Sequence, residues 1–389
     1  MKLKIIISII AGVAIILLIH TITPAVSNLD HALSGRIESS PQFKNGNFND
    51  EGRTPNMSLK EYAATTWDFL FTRNARTPKT KLPFKPVNLS HFNNPESGQL
   101  NVTWLGHSSL MINIDVYKVL TDPVFEKSVS VFGPTRFNGD VPLDILQVPP
   151  IDVVIISHDH YDHLNKYSVQ RLNENTKIFI VPLAVGARVA EWGVPKDKIV
   201  ELDWWEEFRF DQNLMVAATP AQHFSGRGFT DRNNTLWASW VIMTPFHKLF
   251  FSGDSGYFDG FKQIGAKYGP FDMTFIECGA YSESWPQVHM FPEETVQAHL
   301  DLKGFVLHPI HWATFNLALH PWYEPMVRLA AAADTAKVKI ATPIVGETTV
   351  YGKTIPTARW WEPAMQLHGS VKNVKILKSK AENYLDSVY

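Results

Sequence analysis

The chain has 389 residues, 45% hydrophobic and 12% aromatic, with 36 Lys and Arg against 38 Asp and Glu. That balance leaves no basic footprint for nucleic acid, and the aromatic content excludes a disordered chain. One cysteine, Cys278, excludes an internal disulfide framework and any Cys-based metal cluster, so a transition metal must be held by carboxylates and the 15 histidines.

In chain order, a short basic start (Lys2, Lys4) precedes an apolar run over 5–19. A cleaved signal peptide fits the basic start, the apolar stretch of about 15 residues and the small residues Ala25, Val26 and Ser27. An uncleaved anchor fits if the helix continues to Val26, since about 22 residues rising ~1.5 Å each cross a hydrocarbon core of roughly 30 Å. The anchor is the preferred reading. It makes the protein membrane-associated, with the remainder on the exported side (periplasmic in a bacterium); cleavage would instead release a secreted form. Residues 1–27 are therefore set apart as the leader. Residues 28–97 are polar and broken by Pro41, Pro55, Pro78, Pro83 and Pro86. They read as an irregular extension, with one helix predicted over 58–71 from the capping pair Ser58 and Glu61.

From residue 98 the texture changes. Apolar runs at 102–105, 110–114 and 118–121, separated by turn residues, predict a β-meander. Runs at 153–156 and 178–181 are short and β-branched, as strands buried on both faces are, and helices are predicted after them at 166–173 and 185–192. A second strand-rich half has runs at 214–218, 237–243 and 249–252. A helix over 292–302 opens with Pro292, Glu293 and Glu294. Two such halves predict two sheets packed face to face with helices outside, an α+β arrangement over 98–365, followed by a basic tail over 366–389.

The sharpest feature follows the run at 153–156: Ser157, His158, Asp159, His160, Tyr161, Asp162, His163, Leu164. In an extended loop, positions i and i+2 point the same way, so His158 and His160 can converge on one ion. Asp162 and His163, beyond a turn, can address a second. Imidazole with carboxylate suits Zn2+, and less often Mn2+ or Fe2+. Four local groups cannot close two sites, so distant ligands are needed. His223 follows the run at 214–218, Asp254 sits among Gly253 and Gly256 after 249–252, and His311 follows His308 and Pro309. A lone histidine at a strand end is ordinarily a hydrogen-bonded structural residue; given the cluster, the three distant residues complete two sites with one carboxylate shared.

These residues resemble the metallo-β-lactamase superfamily, an αββα sandwich of two mixed β-sheets flanked by helices whose HxHxDH signature His158–His163 reproduces. Further motifs resemble the N-acyl-phosphatidylethanolamine-hydrolysing phospholipase D branch: Trp104-Leu105-Gly106-His107, Leu120 to Phe125, Gly133 to Phe137, Glu201 to Glu206, and His311-Trp312-Ala313-Thr314-Phe315. The resemblance implies a catalytic domain in which one zinc takes His158, His160 and His223, the other takes Asp162, His163 and His311, and Asp254 bridges. It departs where that branch carries a Gln-His pair near the substrate, here Val288-His289. His289 and Tyr161 are the substrate-contact candidates.

Two ions a few ångströms apart lower the pKa of a shared water and polarise a phosphoryl oxygen, so no Ser or Cys nucleophile is required. Asp254 and Asp162 are the catalytic candidates, the first positioning that water and the second accepting its proton. Asp122 and Asp152 are candidate acceptors for imidazole N–H groups. His107 reads as a buried structural histidine, with direct support of the metal site as the alternative. Trp204, Trp205, Trp285, Trp322 and Tyr323 are candidates for an acyl groove. The function expected is that of a membrane-associated dizinc phosphodiesterase of phospholipase D type, cleaving N-acylphosphatidylethanolamine to N-acylethanolamine and phosphatidic acid. Its expected partners are that phospholipid and the membrane, not nucleic acid, with a homodimer left open. The alternatives are a metal-dependent hydrolase of another bond, such as a lactone or β-lactam, and a non-catalytic envelope protein stapled by metal.

Overall fold

The computed structural model describes residues 31–50 and 74–368, apart from 94, 132 and 229, together with 60, 65, 67, 68 and 71. The leader and the tail beyond 368 lie outside the described residues, as does most of the segment 58–71. Among the described residues, no helix is long and apolar enough to cross a membrane.

The chain begins with helix α1 (His31–Ser39) and a hairpin of β1 (Phe43–Lys44) and β2 (Asn47–Phe48). Asn45 and Gly46 close that hairpin with φ of 56° and 84°, the left-handed pair that a two-residue turn requires. After the single turn α2 (Ser90–Asn93), strands β3 (Leu100–Gly106), β4 (Ser109–Ile114) and β5 (Tyr117–Thr121) form the expected meander. Then come β6 (Ile151–Ile155), α3 (Lys166–Leu172), β7 (Thr176–Pro182), α4 (Val185–Glu191) and β8 (Ile199–Leu202). The Asn165 side chain accepts a hydrogen bond from Ser168 N and so starts α3.

The second half carries β9 (Glu207–Arg209), β10 (Met215–Thr219), β11 (Ser239–Met243), β12 (Lys248–Phe251), α5 (Gly260–Lys267), β13 (Phe271–Glu277), α6 (Pro292–Asp301), β14 (Gly304–Ile310) and α7 (Glu324–Ala336). It closes with β15 (Thr348–Val350) and α8 (Trp361–Gln366). One sheet has the order β15-β3-β4-β5-β6-β7-β8 and the other β14-β13-β12-β11-β10-β9. Each starts as an antiparallel meander, β3-β4-β5 in one and β10-β11-β12 in the other, and continues into parallel strands. The two mixed sheets with flanking helices are the αββα sandwich expected from the sequence.

Alternation within the strands builds the layers. In β6, Val153 and Ile155 join Val102, Trp104, Trp240 and Phe250 in the core shared by both sheets. Their neighbours Val154 and Ile156 face the opposite way, against Val169 and Leu172 of α3 and Val185 and Val189 of α4. A strand covered on both faces reads as a continuous apolar run, which is why 153–156 was legible. The topology also aligns the strands. β3 and β5, separated by one antiparallel neighbour, point the same way as β6, and β10 and β12 point the same way as β13 and β14.

Candidate metal centre

Each of seven co-directed strands ends at a residue with metal-binding or supporting chemistry. β3 ends before His107, β5 before Asp122, β6 before His158, β10 before His223, β12 before Asp254 and β14 before His311, while Glu277 is the last residue of β13. The centre therefore lies beyond the carboxyl ends of both sheets, where loops converge. His107 and His311 have φ of 55° and 64°, and Asp122 has 37°, strained values that persist where the surroundings over-determine the backbone. Gly253 has φ of 55°, and a Cβ there would stand 2.5 Å from Ser157 Cβ, so only glycine lets the Asp254 turn approach the metal loop this closely.

The seven sequence-predicted ligands come together in two sets. In the first, His158 Nε2 lies 2.7 Å from His160 Nδ1, which lies 3.4 Å from His223 Nε2. Asp254 Oδ2 is 3.9 Å from His158 Nε2 and 3.8 Å from His223 Nε2. In the second, Asp162 Oδ2 is 3.6 Å from both His163 Nε2 and His311 Nε2. Asp254 Oδ2 completes that set, 3.2 Å from His163 Nε2 and 3.1 Å from His311 Nε2. Tetrahedral ligands with bonds near 2.0–2.1 Å stand roughly 3.3 Å apart, so both sets fit a Zn2+-sized ion. His163 Nε2, His311 Nε2 and Asp254 Oδ1 are buried without a hydrogen bond, a costly state that a bound cation relieves.

The electrostatics agree. Burial, together with His163 and its other imidazole neighbours, pushes His158 well below the usual histidine range, and burial does the same to His223. Burial raises Asp162 and Asp254, but the charge of His163 and the surrounding imidazoles outweighs it and holds both well below the carboxylate range. His311 is lowered by burial yet raised overall to about 10 by Asp254 and Asp162. The first set thus offers neutral imidazoles, and the second attracts protons that a metal must displace.

Supporting contacts fix the ligands. Asp122 accepts from Ser157 N at 2.7 Å and from Ser157 Oγ at 2.6 Å, and it accepts His163 Nδ1–H at 2.7 Å, which leaves His163 Nε2 for the centre. Val288 O accepts His223 Nδ1–H at 2.9 Å. Asp152, the other acceptor expected from sequence, is elsewhere: it takes Lys118 N–H at 2.9 Å and pairs with Lys177 at 2.7 Å, binding strands β5 and β7 across β6. His107 is more than the structural residue the sequence suggested. Its Nε2 stands 2.9 Å from Asp162 Oδ2, and burial lowers it to about 3, so the neutral ring donates to that carboxylate.

The two substrate-contact candidates differ. His289 stands with its ring 5.1 Å from that of His223 and 5.2 Å from that of His311, beside both ligand sets. Tyr161 lies under the Arg227 guanidinium, 3.7 Å from its ring centroid, and Arg227 Nη1 also donates to Asp159 O and Leu164 O. Arg227 therefore clamps the metal loop, of which Tyr161 is a part. Glu277, missed as a site residue, is fully buried and accepts Met290 N–H at 2.6 Å. Of the candidate groove aromatics, Trp322 and Tyr323 are buried in the core. Trp204 and Trp205 line a separate cavity of about 160 Å³ with Pro41, Asp50 and Phe258.

Residues 117–312 match the beta-lactamase superfamily domain, a span that holds all seven ligand candidates. The chain is 41% identical over 364 residues to an uncharacterized protein of Mycobacterium tuberculosis, covering 91% of this chain and 96% of that one. It is 34% identical over 268 residues to N-acyl-phosphatidylethanolamine-hydrolyzing phospholipase D 1 of Caenorhabditis elegans, covering 65% of this chain and 74% of that one. Its fold superposes with a TM-score of 0.52 on the isothiocyanate hydrolase from Delia radicum gut bacteria, at 17% identity, over 64% of this chain and 98% of that one. The chain belongs to the metallo-β-lactamase superfamily, in its N-acyl-phosphatidylethanolamine-hydrolysing phospholipase D-like branch, and is a metal-dependent hydrolase.

Proposed function

We propose that this protein is a dizinc phosphodiesterase of phospholipase D type, hydrolysing N-acylphosphatidylethanolamine to an N-acylethanolamine and phosphatidic acid. The observation that carries the proposal is the convergence of two ligand sets on the single oxygen Asp254 Oδ2. Paired ions supply Lewis acidity and an activated water at neutral pH, which suits attack on a phosphodiester. The chain's own residues do the rest. Asp254 sets the spacing of the two sets. Asp162, held by His107, keeps one oxygen in the second set. Val288 O and Asp122 fix the orientation of His223 and His163. The similarity to the Caenorhabditis elegans protein supports a phospholipid as substrate. We place the membrane contact in the apolar segment over 5–26, which would keep the catalytic domain on the exported side, beside an insoluble lipid.

The test incubates detergent-solubilised, zinc-restored protein with N-acylphosphatidylethanolamine and reads both products by mass spectrometry. Wild type should yield N-acylethanolamine and phosphatidic acid in equal amounts. Asp254→Asn should yield neither, and its zinc content should fall below two per chain. A wild-type protein that holds two zinc ions yet yields neither product would redirect the reading to hydrolysis of another bond.

A further inference from the structure

Glu277 occupies on β13 the place that metal-site residues occupy on the neighbouring co-directed strands, yet it belongs to neither ligand set. Its carboxylate is fully buried and points at the segment 287–290. Oε1 accepts Met290 N–H at 2.6 Å, and Oε2 lies 3.3 Å from His289 Nδ1. That segment is anchored residue by residue. Gln287 O accepts from Gln222 Nε2 at 2.8 Å, and Gly256 approaches it so closely that a Cβ there would lie 2.0 Å away. Val288 O holds His223, and Glu277 holds both His289 and Met290. Such anchoring fixes where His289 stands, and the carboxylate fixes which of its nitrogens is free.

Resting on the phospholipid reading above, we propose that Glu277 is a positioning residue that holds His289 as the Nδ1–H tautomer, so that His289 Nε2 serves as a hydrogen-bond acceptor for the amide N–H of the substrate head group. An ionised Glu277 can only accept, so in a neutral His289 ring the hydrogen of the shared bond sits on Nδ1 and the lone pair on Nε2. The imidazole stands beside both ligand sets and keeps 12% of its side chain exposed, so a ligand over the metal centre can reach it. An acceptor at that point favours a head group carrying a donor. N-acylethanolamine has one in its amide. The branch's Gln-His pair is Val288-His289 here, and Val288 has no polar side chain, its backbone carbonyl accepting from His223 and its N–H donating to Trp285 O. His289 is therefore left as the polar side chain of that pair.

Two measurements on the full-length, zinc-loaded protein test this. Long-range 15N–1H correlation of labelled histidine should show Nδ1–H for His289 in wild type and a shift toward mixed tautomers in Glu277→Ala. An Nε2–H tautomer in wild type would overturn the proposal. Kinetics then compare N-acylphosphatidylethanolamine with its ester analogue, in which oxygen replaces the amide N–H. Wild type should favour the amide by roughly tenfold in kcat/KM, the scale of one hydrogen bond. His289→Ala and Glu277→Ala should each bring the ratio near one, with no further change in the double variant. A preference that survives in His289→Ala would overturn the proposal. Should Glu277→Ala fail to fold, His289→Ala with the wild-type tautomer decides the matter. Cleavage of neither lipid by wild type would overturn the phospholipid reading, and with it the head-group role of His289; the tautomer would then decide what Glu277 does.

Discussion

At the scale of residues, metal chemistry restricts side-chain type and local spacing. Three imidazoles and two aspartates within six positions have few other uses, and the distant ligands each follow an apolar run that reads as a strand. The supporting groups were harder to see. Asp122 and Asp152 each stand next to or within an apolar run, and only the fold sends one to His163 and the other to Lys177. His107 looked structural because a single histidine carries no spacing signal. Its contact with Asp162 crosses 55 positions. That contact gives a prediction. His107→Ala removes the donor that orients Asp162, so one of the two metal ions should bind about 10–100-fold more weakly while the other is unaffected, as measured by chelator competition. His107→Gln keeps a donor of similar reach and should recover most of the loss. Equal weakening of both ions would show that the residue supports the fold rather than the second set.

Elements tell a different story. The central strands were visible as β-branched runs, whereas β8, β9 and β15 are edge strands of three or four residues with little pattern to read. Helix α7 escaped notice because Ala330 to Ala333 are all buried, leaving no polar stripe to mark a period. One element carries a pH-dependent cap. Glu201 on β8 accepts Gly186 N–H of α4 at 2.9 Å, and burial pushes its carboxyl up to about 7 from an ordinary 4.5, opposed by the Gly186 bond and by Arg36. A raised carboxyl favours the protonated folded state. Its contribution is therefore full below pH 4.5 and is lost as pH rises through 7. Stability should fall between pH 5 and pH 8, and Glu201→Gln, neutral throughout, should flatten that slope and gain at most roughly 3 kcal/mol at pH 8. Thermal unfolding of both proteins at the two pH values checks it. Parallel slopes would assign the pH dependence to other groups.

For the whole molecule, the polar residues 31–50, which read as irregular extension, are built into the catalytic domain. Ile37 and Phe48 are buried with Leu183, Ala221 and Trp237. Phe48 N donates to Asn233 O at 2.8 Å, and Asn47 Nδ2 donates to Arg232 O at 2.7 Å. The loop they hold is the one that clamps the metal site. Asn233 N bonds Ser225 O, Gly226 N donates to Asp159 Oδ1 at 2.8 Å, and Arg227 holds Asp159 O and Leu164 O. The sequence hid this because two isolated apolar residues among polar ones show no periodicity, and their partners lie more than a hundred positions away. The physical consequence is directional. Phe48→Ala should cost about 3–5 kcal/mol as a buried aromatic truncation. If the arm buttresses the clamp, hydrogen exchange should accelerate first over 225–235 and 158–164, with β12 to β14 little changed, and the set containing His158, His160 and His223 should lose metal more readily than the second. Exchange that rises evenly across both sheets would mean that the arm adds only global stability, and the coupling from N-terminal hairpin to metal loop would then be wrong.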